Sequence, residues 1–126
     1  MKLWIDDVRP APEGYVWCKS VNEAKDNIID SENKVSEYYF MASREFDKGN
    51  EVGFFEKIDE GNKFFFELID IDHDAGDYAS DGGDYIKLLD WLEETGRNYP
   101  IHIHSMNPVG VENMRRIIQR NIWEEV

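Results

Sequence analysis

The sequence predicts a doubly wound α/β domain with a mainly parallel sheet of about four core strands, formed by residues 1–126 as one domain. Short apolar runs that end in polar residues recur along the chain, at Lys2–Ile5, Phe64–Ile69 and Tyr99–Ser105. Segments with helical spacing of apolar residues lie between them, which is typical of parallel βαβ units. The length of 126 residues suits a single domain with its own core.

Composition limits the classes of function. Hydrophobic residues make up 41% of the chain and charged residues 33%, which indicates a folded globule. The net charge of −13 opposes an extended nucleic-acid duplex as a partner, because phosphate backbones need clustered Lys and Arg. A small phosphorylated ligand or an RNA end remains compatible with this charge.

Cysteine usage and hydropathy predict the compartment. Cys18 is the only cysteine, so the chain has no disulfide framework and no thiolate metal cluster. No apolar run reaches signal-peptide length or the ~20 residues that span a bilayer. We therefore expect a cytoplasmic protein that does not associate with membranes.

The first two strand candidates lie close together in sequence. Lys2–Ile5 ends in Asp6 and Asp7, and residues 8–14 hold two prolines and a glycine, which exclude a helix interior. Tyr15–Cys18 is the second strand candidate. An ordered loop beside the acidic pair should connect them.

A helix should follow the second strand. Ser20 and Glu23 have the spacing of a capping box, and the apolar positions on the predicted face are Val21, Ala24 and Ile28. Asp30–Asn33 is polar enough to end this helix.

Residues 31–63 predict an inserted β-hairpin. Tyr38–Met41 and Val52–Phe55 are aromatic clusters of the kind found in strands, and Asp47–Asn50 has the composition of a turn. These aromatic residues would form sheet core or, alternatively, a surface for a protein partner.

The remaining elements alternate between helix and strand. A helix with Asp81 or Asp84 as its cap should end at Gly96. Its apolar face comprises Tyr85, Leu88, Leu89 and Leu92. Tyr99–Ser105 forms the last strand, and Asn107 followed by proline marks the start of the final helix.

Polar side chains follow three of the predicted strands. Ligands of doubly wound sheets bind outside the carboxyl ends of the strands, so these side chains should share one rim. The set comprises Asp6, Asp7, Asp72, His73, Asp74, His104 and Ser105. Clustered carboxylates repel one another and therefore need a cation, protonation or solvation.

Three segments together resemble a known family. Residues 3–12 read Leu-Trp-Ile-Asp-Asp-Val-Arg-Pro-Ala-Pro, residues 71–77 read Ile-Asp-His-Asp-Ala-Gly-Asp, and residues 104–110 read His-Ser-Met-Asn-Pro-Val-Gly. They are similar to the cyclic-phosphate-processing receiver domains over most of the chain. The resemblance implies a receiver-like (flavodoxin-like) fold and a role in handling cyclic phosphates. Residues 31–63 look longer than the usual connection of that family.

Comparison with phosphoacceptor receivers also bears on Asp72. In those domains an acidic set that Asp6, Asp7 and Asp72 resemble binds Mg²⁺ and accepts a phosphoryl group. Residues 8–14 are shorter than the ~10 to 12 residues of a crossover, and residues 122–126 offer no place for a fifth strand ending in lysine. We therefore expect Asp72 to be a metal ligand rather than a stable phosphoacceptor.

Hydrolysis of a cyclic phosphodiester is the function that this residue set predicts. His73 and His104 would serve as base and acid, with Asp74 beside His73. The predicted metal ligands are Asp6, Asp7 and Asp72, which suit Mg²⁺ or Mn²⁺ better than Zn²⁺. The predicted phosphate-binding residues are Arg9, Ser105 and Asn107.

Simpler explanations exist for each residue. Either histidine could be bonded to the backbone at a strand end, His102 fits a satisfied core position, and Asp70 could be a buried acceptor or a partner of a metal ligand. The alternative function is a non-catalytic receiver-like module that binds a nucleotide or a protein partner. A degenerate phosphoacceptor at Asp72 is a third reading.

Overall fold

The computed structural model describes all 126 residues and contains a four-stranded, all-parallel sheet. The strands are β1 (Lys2–Ile5), β2 (Tyr15–Cys18), β3 (Leu68–Ile71) and β4 (Ile101–Ile103). Their order in the sheet is β2-β1-β3-β4. The structure confirms the predicted receiver-like α/β fold with four parallel strands.

Four α-helices accompany the sheet. They are α1 (Val21–Asp47), α2 (Glu51–Asn62), α3 (Ile86–Glu94) and α4 (Pro108–Asn121), and a short 3₁₀ helix, Gly76–Ser80, follows β3. None of these helices combines the length and the apolar character needed to cross a bilayer.

One face of the sheet carries the core. Side chains alternate along β1, so that Leu3 and Ile5 are fully buried while Lys2 and Trp4 are partly exposed. The apolar faces of the helices pack on the buried side, where they form one cluster of 20 residues with the strands. Parallel strands buried on their core face place their carboxyl ends along one edge, which is where the candidate site lies.

The predicted starts of two helices are confirmed. The Ser20 hydroxyl accepts a hydrogen bond from the Glu23 N–H at 3.1 Å, and the Asn107 side chain accepts one from the Gly110 N–H at 3.1 Å. Gly96 follows the end of α3 with a φ of +67°, as expected for a residue after a helix.

The predicted β-hairpin at residues 31–63 is wrong, because these residues form the second half of α1, the turn and α2. Asp30–Asn33 does not end the first helix, since helical hydrogen bonding continues to Asp47. The turn was placed correctly: Gly49 has a φ of +76° and the Asn50 side chain caps α2. Gly61 explains the close packing of the two helices, because a Cβ there would lie 2.8 Å from the Tyr38 Cβ.

The predicted caps of α3 are also wrong. Tyr85 stands at the N-cap without a side-chain hydrogen bond. Asp84 instead accepts a bond from the Ala75 N–H at 3.2 Å, and Asp81 accepts bonds from Ser20 at 2.6 Å and Asn22 at 3.1 Å. Asp84 therefore stabilises the segment after β3 internally, and Asp81 bonds this segment to the start of α1.

Candidate functional site

The ends of β1, β3 and β4 bring three predicted site residues together. The Asp72 N–H donates to the Ile5 carbonyl at 2.9 Å, and the His104 N–H donates to the Ile71 carbonyl at 3.0 Å. Asp6, Asp72 and His104 each offer one metal-ligand atom, and these atoms lie within 4.8 Å of one another. The structure thus juxtaposes these three strand-end residues as the sheet rule predicts.

His104 is held between two buried carboxylates. Its Nδ1 lies 2.6 Å from Asp70 Oδ1 and its Nε2 lies 2.9 Å from Asp6 Oδ2. Its ring stacks on Trp4 with a centroid distance of 3.9 Å and an interplanar angle of 4°. An imidazolium can donate to both carboxylates at once, whereas a neutral ring can donate to only one.

The pKa shifts of this cluster follow from these contacts. Burial alone would lower the pKa of His104, but hydrogen bonds to Asp70 and Asp6 and their negative charges outweigh it and raise that pKa. Burial would raise the pKa of Asp6, but the N–H groups of Arg9 and Val8 and the His104 ring lower it. These contacts therefore favour the protonated form of His104 and the ionised form of Asp6.

The turn after β1 is folded around Asp6. Asp6 Oδ1 accepts hydrogen bonds from the N–H groups of Val8 at 2.9 Å and Arg9 at 2.8 Å. The Arg9 side chain is 50% exposed, with Nε 3.8 Å from Asp6 Oδ2 and an Nη atom 3.4 Å from the His104 carbonyl. A cationic guanidinium is thus placed at the rim, where an anion can reach it.

Asp7 lies beside the cluster but outside the group of three. Burial, followed by the charges of Asp6 and Asp72, raises the pKa of Asp7. Its carboxylate packs against Gly76, which has a φ of +56° and no room for a Cβ. The predicted metal set of Asp6, Asp7 and Asp72 is therefore matched for two members, with His104 in place of the third.

His73 and Asp74 form a separate pair next to Asp72. His73 Nδ1 lies 2.8 Å from Asp74 Oδ1, and the His73 N–H donates to Asp72 Oδ1 at 2.8 Å. No protein atom is bonded to His73 Nε2. With Nδ1–H donated to Asp74, Nε2 carries a lone pair and can accept a proton.

The start of α4 packs against His73, and its hydrogen bonds involve two side chains predicted to bind phosphate, Ser105 and Asn107. The His73 ring packs on the backbone of Gly110, where a Cβ would overlap it. Asn107 caps α4, and Ser105 Oγ accepts a hydrogen bond from the Asn107 N–H at 3.1 Å. Ser105 and Asn107 therefore have internal hydrogen bonds at this helix start.

His102 lies outside the cluster. Its Nδ1 is 2.6 Å from the carbonyl oxygen of Val126, and the segment around Glu125 runs parallel to β4 beside Ile101. His102 therefore has a hydrogen-bond partner as predicted, but it is half-buried and not in the core.

The site is an open rim rather than an enclosed pocket. None of the clefts on the surface is lined by Asp6, Asp72, His73 or His104. A ligand bound here would be held by polar groups at the strand ends and would remain open to solvent on one side.

The partners of His104 are the part of the site that sequence reasoning only partly found. The sequence leaves two roles open for Asp70, a buried acceptor or a partner of a metal ligand, and the available signal is that Asp70 and Asp72, two residues apart in a strand, share a face. Trp4 is a further partner of His104, and no sequence pattern indicates that it stacks on a histidine 100 residues away.

Comparison with known proteins supplies the family. The family model described as "Cyclic-phosphate processing Receiver domain" matches residues 1–41 and 51–120. Because this match spans nearly the whole chain, the protein belongs to the family of cyclic-phosphate processing receiver domains. Searches of curated proteins and of solved structures give no match.

Proposed function

We propose that the protein hydrolyses a cyclic phosphate on a nucleotide or an RNA end, assisted by a divalent metal. The observation that carries this proposal is the placement of two different groups at one sheet edge. Asp6, Asp72 and His104 offer metal ligands within 4.8 Å of one another, and His73 with Asp74 offers a base beside them. The family's link to cyclic phosphates selects the reaction from those that such groups can perform.

The residues present fit a divalent ion. Two carboxylates and one imidazole suit Mn²⁺ or Mg²⁺, the latter with more water in its coordination shell. Asp70 accepts from His104 Nδ1 at 2.6 Å, the contact by which a carboxylate commonly orients a metal-binding histidine. A bound ion would supply positive charge against the phosphate oxygens and relieve carboxylate repulsion.

His73 is the proposed general base. Nε2 takes a proton from water as the water oxygen forms its bond to phosphorus. The bond from phosphorus to one ring oxygen breaks, and the proton now on His73 passes to the departing alkoxide. The product is a phosphomonoester with one free hydroxyl, and Asp74 holds the His73 ring in place through Nδ1.

His104 is assigned a metal-binding role in this proposal. Its Nδ1–H would stay bonded to Asp70, and its Nε2, which faces Asp6 Oδ2 at 2.9 Å, would offer its lone pair to the ion. Arg9, half exposed at the rim, provides the cation for the substrate phosphate.

The competing proposal is a non-catalytic module that binds a nucleotide or a protein. The open rim favours it, because enzymes usually bury most of a small substrate in a pocket, and none of the clefts is lined by Asp6, Asp72, His73 or His104. Binding without turnover, at the same strand ends, is what this alternative requires.

The test incubates purified protein with Mg²⁺, Mn²⁺ or Zn²⁺ and a panel of 2′,3′- and 3′,5′-cyclic nucleotides and oligonucleotides ending in a 2′,3′-cyclic phosphate, followed by ³¹P NMR. We expect metal-dependent opening of at least one substrate, and its loss in Asp72→Asn. Binding by the wild type without any turnover would support the non-catalytic module. Acetyl phosphate labelling that is lost in Asp72→Asn would identify a phosphoacceptor instead.

A further inference from the structure

The hairpin formed by α1 and α2 extends well beyond the sheet. At 1.5 Å per residue, the 27 residues of α1 span about 40 Å, whereas four-residue strands span about 13 Å. The buried residues of α1 are Val21, Ala24, Ile28, Ser31 and Ala42. Since α1 begins beside the end of β2, its second half projects from the opposite edge of the sheet, away from the candidate site.

The tip of this hairpin exposes apolar side chains to an unusual degree. Phe46 is 67% exposed, Val52 70% and Phe55 55%. Phe46, Phe54 and Phe55 form a cluster, with ring centroids 5.7 Å apart for the first two and 5.2 Å apart for the last two. Exposed aromatic clusters of this kind mark interaction surfaces on folded proteins.

These rings line a cleft of about 340 Å³, here called the tip cleft. Its lining residues are Phe46, Gly49, Glu51, Phe54 and Phe55. Residues 42–50 of this region fall outside the family match, so the turn and Phe46 are additions to the common domain.

The charge around the tip cleft is negative, because residues 42–60 carry six carboxylates against the three cations Arg44, Lys48 and Lys57. Lys48 pairs with Glu45 at 3.7 Å and Lys57 pairs with Glu60 at 3.5 Å, so these cations are already engaged. Asp47, Glu51 and Glu56 have no cationic partner. A ligand of this surface must therefore combine apolar anchors with positive charge.

We propose that the tip cleft docks a basic amphipathic helix of a partner protein. The apolar anchors of such a helix would fill the space between Phe46 and Phe55, and its Lys or Arg residues would face the free carboxylates. A second copy of this chain is a poor occupant, because each copy carries a net charge of −13.

The probe is a fluorescein-labelled, 18-residue helical peptide of Leu, Ala and Lys, compared with the same peptide carrying Glu for Lys. Fluorescence anisotropy with the full chain should show at least tenfold tighter binding of the basic peptide. The double variant Phe46→Ser/Phe55→Ser should weaken that binding at least tenfold. Glu51→Gln/Glu56→Gln should weaken it and reduce its dependence on salt.

The matched control is Met106→Ser/Ile122→Ser, which removes two apolar side chains that are 86% and 88% exposed outside the hairpin. This variant should bind the basic peptide like the wild type. In ¹⁵N HSQC spectra the peptide should shift signals of residues 44–58, and circular dichroism confirms that each variant keeps its helices.

Several results would overturn the proposal. They are equal affinity for the basic and acidic peptides, unchanged binding in Phe46→Ser/Phe55→Ser, or peptide-induced shifts at the strand ends. Dimerisation in sedimentation equilibrium that this variant abolishes would make a second copy the occupant, and binding to phosphatidylcholine vesicles that it abolishes would make a bilayer the occupant. Turnover of cyclic phosphates plays no part in any of these readouts.

Discussion

Among single residues, His104 joins the most distant parts of the chain. Its ring bridges Asp6 and Asp70 and covers Trp4, so one side chain ties together the ends of β1, β3 and β4. Removing one member of such a buried ionic group leaves the others unpaired, which costs more than the group contributes when intact.

We therefore expect His104→Ala to lower the free energy of unfolding by about 3–5 kcal/mol, because Asp70 and Asp6 lose their common partner. Urea unfolding at pH 6 measures this loss. The control His102→Ala removes a more exposed histidine from the same strand and should cost clearly less. Equal losses of unfolding free energy in the two variants would contradict a specific stabilising role of the contacts of His104 with Asp6 and Asp70.

The raised pKa of His104 predicts a pH dependence of stability. A group whose pKa rises on folding stabilises the protein fully below its unfolded value, about 6.5, and loses this contribution as pH rises through the folded value. The lowered pKa of Asp6 acts oppositely, and its contribution fades as pH falls below about 3.8. The contribution of His104 to stability should thus decline in the wild type as pH rises above about 6.5.

Unfolding measured from pH 5 to pH 10 gives this profile, and histidine NMR gives the pKa directly. In Asp70→Asn the pKa of His104 should fall, because asparagine keeps the shape of the aspartate but removes the negative charge that favours the imidazolium. An unchanged His104 titration in Asp70→Asn would contradict the assignment of that shift.

Among secondary-structure elements, the start of α4 determines where His73 lies. The ring of His73 packs on Gly110 so closely that a Cβ would overlap it. Alanine is about 1 kcal/mol better than glycine in a helix interior, so stability alone would favour Gly110→Ala.

We expect Gly110→Ala to displace the His73 ring and to lower turnover of the cyclic phosphate at least tenfold, since small misplacements of a base are costly. The ¹³C and ¹⁵N shifts of His73 should change while the far-UV spectrum does not. Val109→Ala, at a 69% exposed neighbour in the same turn, is the control. His73 shifts identical to wild type would refute this packing argument.

The packing of α1 against α2 gives a second test at this scale. A side chain at Gly61 would meet the Tyr38 Cβ at 2.8 Å, so Gly61→Val must push the helices apart. We expect a loss of about 1–3 kcal/mol in urea unfolding, as for other overpacked contacts. Asp59→Val, on the exposed side of α2, supplies the same side chain without the clash, and a loss as large there would argue against the clash as the cause.

At the scale of the whole molecule, the sequence was informative where local signals agree. Ser20, Asn107 and Gly96 marked helix ends correctly, and acids after β1 and β3 marked the rim. The β-hairpin predicted for residues 31–63 is wrong because aromatic residues favour strands intrinsically. Here they lie in α1 and α2, which gain their stability by packing on each other. That pairing joins residues across the turn, such as Tyr39 and Asn62, so the strand propensity of single residues does not reveal it.

The location of the candidate site could be predicted from the sequence, but the contacts within it could not. Strand polarity alone places Asp6, Asp72 and His104 at one edge. The different roles of the two histidines could not be predicted, because they depend on interatomic distances. Only the structure shows that His104 lies between two carboxylates while Nε2 of His73 has no protein partner. The molecule thus separates a polar rim at one end from an aromatic hairpin tip at the other.

The most direct test of the central claim follows ³¹P signals of an oligonucleotide ending in a 2′,3′-cyclic phosphate, incubated with Mn²⁺ and the wild type, His73→Asn or His102→Asn. We expect the wild type and His102→Asn to open the ring at similar rates and His73→Asn to be slower by about 10²–10⁴-fold, the usual contribution of a general base. Turnover by His73→Asn at the wild-type rate would contradict the proposed catalytic role of His73.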